Sequence, residues 1–303
     1  MKHPCILIIT DLEGVGGVNN FNDYCVPSGY RNKDACRNLT EEVNAVCRGC
    51  FDGGFATVIV KDGHGSGGSI LWDCLDRRAY LQRGSASGFR YTKGEYDAIA
   101  FVGQHSKAGS KHAQLAHTQT QECVDFRLNG LSIGEYGQHV ICAAAAGIPT
   151  IFASGDLALT LEASALTPDV MVAPVKEGLM DAPTDIDLPV AQVFAVQSAV
   201  IHYPPKVTLE KIYDSMKESA VALLHNHKTF SADFGLKPPY IAQSEYRAGF
   251  SRLQDGLWLP KRQITTSPHS TAAAALGEFY ARLEWSFPDG VQSIELNGVP
   301  YSS

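Results

Sequence analysis

The chain of 303 residues has a globular composition, with 45% apolar residues, 19% charged residues and a net charge of −7. That length can form one large or two medium hydrophobic cores. The negative charge and the lack of a Lys/Arg cluster exclude nucleic acid as an obligate partner. No apolar run approaches the ~18 residues of a transmembrane helix, and the run Cys5 to Ile9 is too short for a signal-peptide core. We therefore expect a cytoplasmic protein with no membrane partner.

Strand and helix patterns alternate through the first half of the chain. The predicted strands are 5–10, 56–60, 97–102, 149–153 and 169–174, and the predicted helices are 33–51, 136–146 and 157–165. Asn129-Gly130, between two short extended runs, predicts a hairpin turn. Alternating strands and helices indicate an α/β fold, with a mostly parallel sheet flanked by helices.

The second half has a less regular pattern. Residues 176–189 are polar and rich in Pro and Asp, which predicts a linker or an active-site loop. Helices are predicted near 208–225 and 272–285, with extended segments between them. We therefore divide the chain into an α/β domain, residues 1–178, and a smaller α+β region, residues 179–303.

The eight cysteines all lie at or before position 142. A disulfide framework is unusual in a long chain without a secretion signal. Cys47 and Cys50 form a C-x-x-C, but it lies within a predicted helix and has no partner pair. Free, mostly buried thiols are favoured over a zinc or redox site.

Acidic and imidazole side chains follow four of the predicted strands. They are Asp11 and Glu13, Asp62 and His64, His105, and Asp156, and Glu135 follows the hairpin. Ligands of parallel sheets bind beyond the carboxyl ends of the strands, so these groups are expected at one rim. Any single residue of this kind is more often a helix cap or a surface loop residue than a ligand. The pattern as a whole favours a site.

A cation is needed to hold three carboxylates and two imidazoles together without repulsion. We predict that Asp11, Glu13, His64, His105 and Glu135 bind metal. Carboxylate and histidine ligands suit Zn²⁺, with Mn²⁺, Co²⁺ and Fe²⁺ as alternatives. Five ligands exceed the three that one catalytic zinc uses, so two ions are expected if one carboxylate bridges them.

Hydrolysis also needs a group that transfers a proton or stabilises the oxyanion. His117 is the nearest candidate beyond His105, and His112 competes with it. The glycine-rich segment 63–68 lacks a lysine, and no nucleophile elbow, P-loop or H-E-x-x-H motif occurs in a fitting context.

Short motifs across residues 5–178 resemble those of the DppA-type zinc D-aminopeptidases. The matching motifs are DLEGVGG from Asp11, LTEEVN from Leu39, VKDGH from Val60, VGQH from Val102, AHT from Ala116, GEYG from Gly134, SGD from Ser154 and APVK from Ala173. The resemblance implies a dinuclear zinc site held by the same five residues, with Asp11 bridging and His117 as the catalytic histidine. It also implies a homo-oligomeric ring, a decamer in the well-known member, that admits small peptides.

The chain also departs from the family pattern. The segment between His105 and His117 is one residue longer than expected, which keeps His112 as a candidate. Residues 180–188, MDAPTDIDL, are acidic where the family carries a basic stretch. The last 120 residues match only loosely. We assign residues 179–303 to a substrate channel or to oligomerisation.

The predicted function is metal-dependent hydrolysis of an amide bond in a small molecule, first of all a short peptide with a free amino terminus. One alternative is an amidase or lactamase acting on a non-peptide amide. The other alternative, from a different class, is a non-catalytic metal-dependent binding protein, which would be expected to lack a ligand.

Overall fold

The computed structural model describes residues 3–65, 67–84, 89–250, 258–285, 293–296 and 299–302. Its strands are β1 (Cys5–Thr10), β2 (Thr57–Asp62), β3 (Tyr80–Gln82), β4 (Ala98–Gln104), β5 (Cys123–Leu128), β6 (Leu131–Ser132), β7 (Thr150–Asp156), β8 (Met171–Gly178), β9 (Val200–His202), β10 (Ala242–Tyr246), β11 (Gly249–Phe250), β12 (Trp258–Leu259), β13 (Arg262–Thr265), β14 (Ser293–Leu296) and β15 (Val299–Ser302). The α-helices are α1 (Asn32–Asp52), α2 (Glu135–Ala145), α3 (Leu157–Leu166), α4 (Val190–Val193), α5 (Pro205–Leu224) and α6 (Ala272–Trp285).

The main sheet has seven strands in the order β3-β2-β1-β4-β7-β8-β9. All neighbouring pairs are parallel except β8 and β9. Successive residues of β1 point to opposite faces. Ile6 and Ile8 pack in the core that contains residues of α1 and α5, whereas Leu7 and Ile9 pack with residues of α2 and α3. The prediction of a mostly parallel sheet flanked by helices is confirmed.

A smaller antiparallel sheet has the order β13-β10-β5-β6. Leu276 and Phe279 of α6 pack against it, together with Ile141 of α2, so α2 contributes to both this core and that of the main sheet. Its β5–β6 hairpin turns at Asn129 (φ 49°) and Gly130 (φ 84°), as the Asn-Gly pair predicts.

Each sheet takes strands from both sides of residue 178. β9 extends the main sheet, while β5 and β6 pair within the smaller one. The division into residues 1–178 and 179–303 stays a prediction.

The segment predicted as a polar loop from residue 176 begins later in the structure. Lys176 belongs to β8, which ends at Gly178, and its side chain is fully buried. The acidic segment that follows is attached to the smaller sheet, because the buried Arg247 donates hydrogen bonds to the carbonyl oxygens of Pro183 and Asp185.

The cysteines carry no disulfide, and six of the eight are buried, Cys47 and Cys50 among them. Among the described residues, the helices are all too short or too polar to span a lipid bilayer.

The chain order of the main sheet reverses beside β1. From β1 the chain first adds β2 and β3 on one side and then β4 on the other. Such a switch point opens a crevice beyond the carboxyl ends of the two strands that flank it, and ligands bind there. In this molecule those strands are β1 and β4.

Candidate metal centre

The five predicted metal ligands meet at this crevice. Asp11 follows β1, His64 follows β2 and His105 follows β4. Glu135 is the first residue of α2, and Glu13 lies two residues beyond Asp11. All five side chains form one connected cluster around the carboxylate of Asp11.

Asp11 lies between two histidine–carboxylate groups. Its Oδ1 is 3.0 Å from Nδ1 of His64, which is also 3.0 Å from Oε2 of Glu13. Its Oδ2 is 3.3 Å from Nε2 of His105, which is 3.5 Å from Oε1 of Glu135. The two oxygens of Asp11 therefore face different halves of the cluster.

Two glycines allow the strand ends to approach each other this closely. Gly103 has a φ of +69°, and a Cβ there would lie 2.3 Å from the carbonyl oxygen of Asp11. A Cβ on Gly14 would lie 2.0 Å from the carbonyl oxygen of Gln104. Any side chain at either position would push the Asp11 and His105 segments apart.

The charges of the cluster depend on one another. Burial opposes ionisation of Asp11, but the adjacent imidazoles of His105 and His64 lower its pKa well below the ordinary value. Burial also opposes protonation of His64, but Glu13 and Asp11 raise its pKa to about 12. The same carboxylate effect, from Asp11 and Glu135, raises the pKa of His105. The carboxylates therefore stabilise positive charge within the cluster.

Two buried atoms of the cluster lack a hydrogen-bond partner among the described residues, Oε2 of Glu13 and Nε2 of His105. Buried polar atoms are normally paired, and both of these face the other ligands. Ligand atoms of Asp11, Glu13 and His105 lie within 4.8 Å of one another, as do those of His105, His117 and Glu135. The set contains only oxygen and nitrogen donors, which fits Zn²⁺, Mn²⁺, Co²⁺ or Fe²⁺.

Backbone carbonyls determine which histidine nitrogen faces the cluster. Nε2 of His64 lies 2.7 Å from the carbonyl oxygen of Cys25, and Nδ1 of His105 lies 3.0 Å from that of Ser106. A carbonyl can only accept, so those nitrogens carry the proton. The opposite nitrogens, Nδ1 of His64 and Nε2 of His105, face the carboxylates, and a metal ion would bind them in place of a second proton.

His117 lies beside the cluster and His112 lies away from it. The ring of His117 is buried and stacks on His105, with centroids 3.8 Å apart. Its Nδ1 is 2.8 Å from the carbonyl oxygen of Leu115, which leaves Nε2 as an acceptor. His112 is exposed, and its backbone N–H binds Asp181.

Two other acidic residues at strand ends have structural partners. Asp62 accepts hydrogen bonds from the backbone N–H groups of Gly68 and Ile70 and so organises the loop that contains His64. Asp156 caps α3 by accepting from the N–H of Leu159. These contacts match the helix-cap and loop roles that such residues usually have.

Further polar residues support the cluster and were not singled out from the sequence. Gln104 donates to Oδ2 of Asp11 at 3.0 Å. Lys176 donates to the carbonyl oxygen of Glu13. Glu162 accepts from the backbone N–H groups of Lys107 and Gly134, which lie next to the His105 and Glu135 segments. In the sequence, the feature that could have pointed to Gln104 and Lys176 is that each is a polar residue at the end of an apolar run, VGQ and PVK.

A cavity of about 590 Å³ opens onto the cluster. Its described lining includes Asp11, Glu13, His64, His117 and Glu135. Glu122 adds a fourth carboxylate, and the described lining contains no lysine or arginine. The cavity is therefore negatively charged and of a size that suits small ligands.

Comparisons with known proteins identify the family of the chain. The family model Peptidase_M55, described as D-aminopeptidase, matches residues 4–233. The chain is 30% identical to a D-aminopeptidase of Bacillus subtilis over 171 residues, which are 55% of this chain and 61% of that protein. The matched region thus spans less than two thirds of the relative.

A solved structure shares the fold. It is described as the "Zn-dependent D-aminopeptidase DppA from Bacillus subtilis, a self-compartmentalizing protease". The superposition has a TM-score of 0.68 and 21% sequence identity, and it covers 93% of this chain and 99% of the other. Since the family model spans well over half of the sequence, the chain belongs to the Peptidase_M55 family of D-aminopeptidases.

Proposed function

We propose that the protein is an aminopeptidase that depends on two divalent metal ions, with zinc as the first choice. The observation that carries the proposal is the position of Asp11, whose two carboxylate oxygens face two separate histidine–carboxylate groups. Asp11 would bridge the ions. Glu13 and His64 would complete one half of the site, and His105 and Glu135 the other.

Metal ions held there would lower the pKa of a bound water and polarise the scissile carbonyl. His117 supplies the proton transfer. Burial, followed by the nearby His105, lowers its pKa, so the ring is neutral. Its Nδ1–H donates to Leu115, so Nε2 takes the proton lost by the attacking water and passes it to the leaving amine nitrogen.

The cavity supports a substrate with a free amine. Its described lining contains no lysine or arginine, and Glu122 is the one carboxylate there that is not a proposed metal ligand, so Glu122 would receive the ammonium group. The relatives are named D-aminopeptidases, and we extend that activity and the preference for D-residues to this chain. Residues 179–303 would contribute to a substrate channel and to oligomer contacts.

Metal analysis combined with a substrate panel tests the proposal. We expect two divalent ions per chain after metal saturation, and hydrolysis of D-aminoacyl amides and short peptides. N-acyl amides and lactams serve as the contrast, because they lack the ammonium group. A single ion at saturation would remove the bridging role of Asp11, and hydrolysis of N-acyl amides alone would replace the aminopeptidase with an amidase. Metal binding without any hydrolysis would favour a binding protein.

A further inference from the structure

A buried lysine joins two loops of the candidate metal centre. Lys176 of β8 is fully buried. Its ammonium donates to the carbonyl oxygen of Glu13, to that of Val18 at 2.9 Å and to Oε1 of Gln114 at 2.6 Å. The three N–H donors of the ammonium therefore each have an acceptor.

Gln114 extends this contact toward His117. It is fully buried, lies three residues before His117, and donates from Nε2 to the carbonyl oxygen of Asn19 at 2.8 Å. The loop that begins at Glu13 and the segment that carries His117 are thus attached to the same ammonium group.

The ammonium of Lys176 has a role beyond packing. A buried charge is unfavourable unless it is well hydrogen-bonded, and an apolar side chain of similar length would pack without that cost. What the lysine adds is a fixed attachment for the carbonyl groups of Glu13 and Val18. The neighbouring N–H of Gly16 has its own acceptor, Oε1 of Glu42 at 2.8 Å.

We propose that Lys176 is a positioning residue that sets the placement of Glu13 relative to His117. The inference rests on the proposed function, because it takes Glu13 as a metal ligand and His117 as the proton-transfer group. Lys176 acts through the backbone of Glu13 and the side chain of Gln114. A displacement of about 1 Å between groups that act together can lower turnover by roughly 100-fold.

The test uses Lys176→Met, which keeps the length of the side chain and removes its three donors. Metal affinity is measured by competition with a chelator, and kcat and KM are measured separately. We expect metal affinity and kcat to fall by about 10–100-fold, the usual effect of losing a contact that orients a metal ligand, with KM changed less than kcat. Lys61→Met is the matched control, since Lys61 lies on β2 of the same sheet and its side-chain ammonium donates no hydrogen bond to a described residue.

Gln114→Met tests the contact between Lys176 and the segment that carries His117. It remains informative if Lys176→Met fails to fold. It leaves the contact between Lys176 and Glu13, so we expect metal affinity close to that of the unaltered protein and a lower kcat. If both variants fold and keep wild-type metal affinity and kcat, Lys176 has only a structural role and the inference is wrong. If instead the unaltered protein hydrolyses no substrate, the proposed function fails, and the chelator competition still decides whether Lys176 positions Glu13.

Discussion

His105 and His117 stack face to face, but their ring nitrogens have different contacts. Nε2 of His105 points at Asp11 and Glu135. His117 donates from Nδ1 to Leu115 and lies at the edge of the cavity. A ring 3.8 Å from its neighbour also resists taking up positive charge when that neighbour is charged. Under the proposed function, the pair would separate metal binding from proton transfer.

Substitution of each ring should separate the two roles. We expect His117→Ala to keep both metal ions and to lose about 10²–10⁴-fold in turnover, the range for an acid–base group. His105→Ala should lose metal as well as activity, because it removes a nitrogen that faces two carboxylates. Elemental analysis and kcat measurements on both variants check this.

His112→Ala is the control for that comparison. His112 is exposed and its ring has no place in the cluster, so metal content and turnover should stay as in the unaltered protein. An inactive, metal-replete His112→Ala variant beside a normal His117→Ala variant would move the proton-transfer role to His112.

At the scale of elements, α3 connects two segments that lie next to the candidate metal centre. Glu162 of α3 is partly buried and accepts from the N–H of Lys107 at 2.9 Å and from that of Gly134 at 3.1 Å. The first contact holds the segment after His105, and the second holds the residue before Glu135. One carboxylate therefore connects β4, α2 and α3.

Glu162→Ala should lower the free energy of unfolding, because it leaves two backbone N–H groups without their acceptor. We expect a loss of about 1–3 kcal/mol for each group, measured by chemical denaturation of the metal-free protein. Glu41→Ala, an exposed position on α1, should change it by less than about 0.5 kcal/mol. Equal effects of the two substitutions would contradict the role given to Glu162.

The elements of the main sheet could be predicted because their patterns are local. The apolar run before Asp11 and the helix that ends at Gly53 agree with β1 and α1 to within a residue. The smaller sheet could not be predicted, because β5 pairs with β10, a five-residue strand whose central buried residue, Ser244, is polar. A short polar strand has little signal of its own, and its partner lies far along the chain.

The position of the candidate ligands could also be predicted, since the ends of parallel strands meet at one edge. Asp11, His64 and His105 follow their strands directly. The roles of Lys176 and Glu162 could not, because both act on backbone groups of residues distant in sequence. Such contacts depend on how helices and loops pack and leave no spacing pattern.

At the scale of the whole molecule, the exposed edge of the main sheet bears on assembly. Edge strand β9 and its surroundings expose Ile201, Val196 and Leu179, and the relative of known structure is described as self-compartmentalizing. We propose that this chain also forms a homo-oligomer, with a decameric ring as the specific expectation. Exposed strand edges and apolar side chains are typical sites of association.

Light scattering at micromolar concentration tests the assembly. We expect a mass that is a multiple of the 32.7 kDa of one chain, about tenfold for the proposed decameric ring, and a single species on dilution. A stable species with the mass of one chain would overturn the oligomer, while the metal-binding proposal would be unaffected.

The pairing of β5 with β10 also has a consequence for biosynthesis. The segment with His117 leads into β5, and Glu135 follows the β5–β6 hairpin. On the ribosome, β1 to β9 and α5 emerge before β10 and β13, so β5 lacks its central partner until β10 has been translated. The main sheet can form early on the nascent chain. The segment that joins His117 to Glu135 gains this support only after β10 has emerged, so the proposed site is completed after the main sheet rather than together with it.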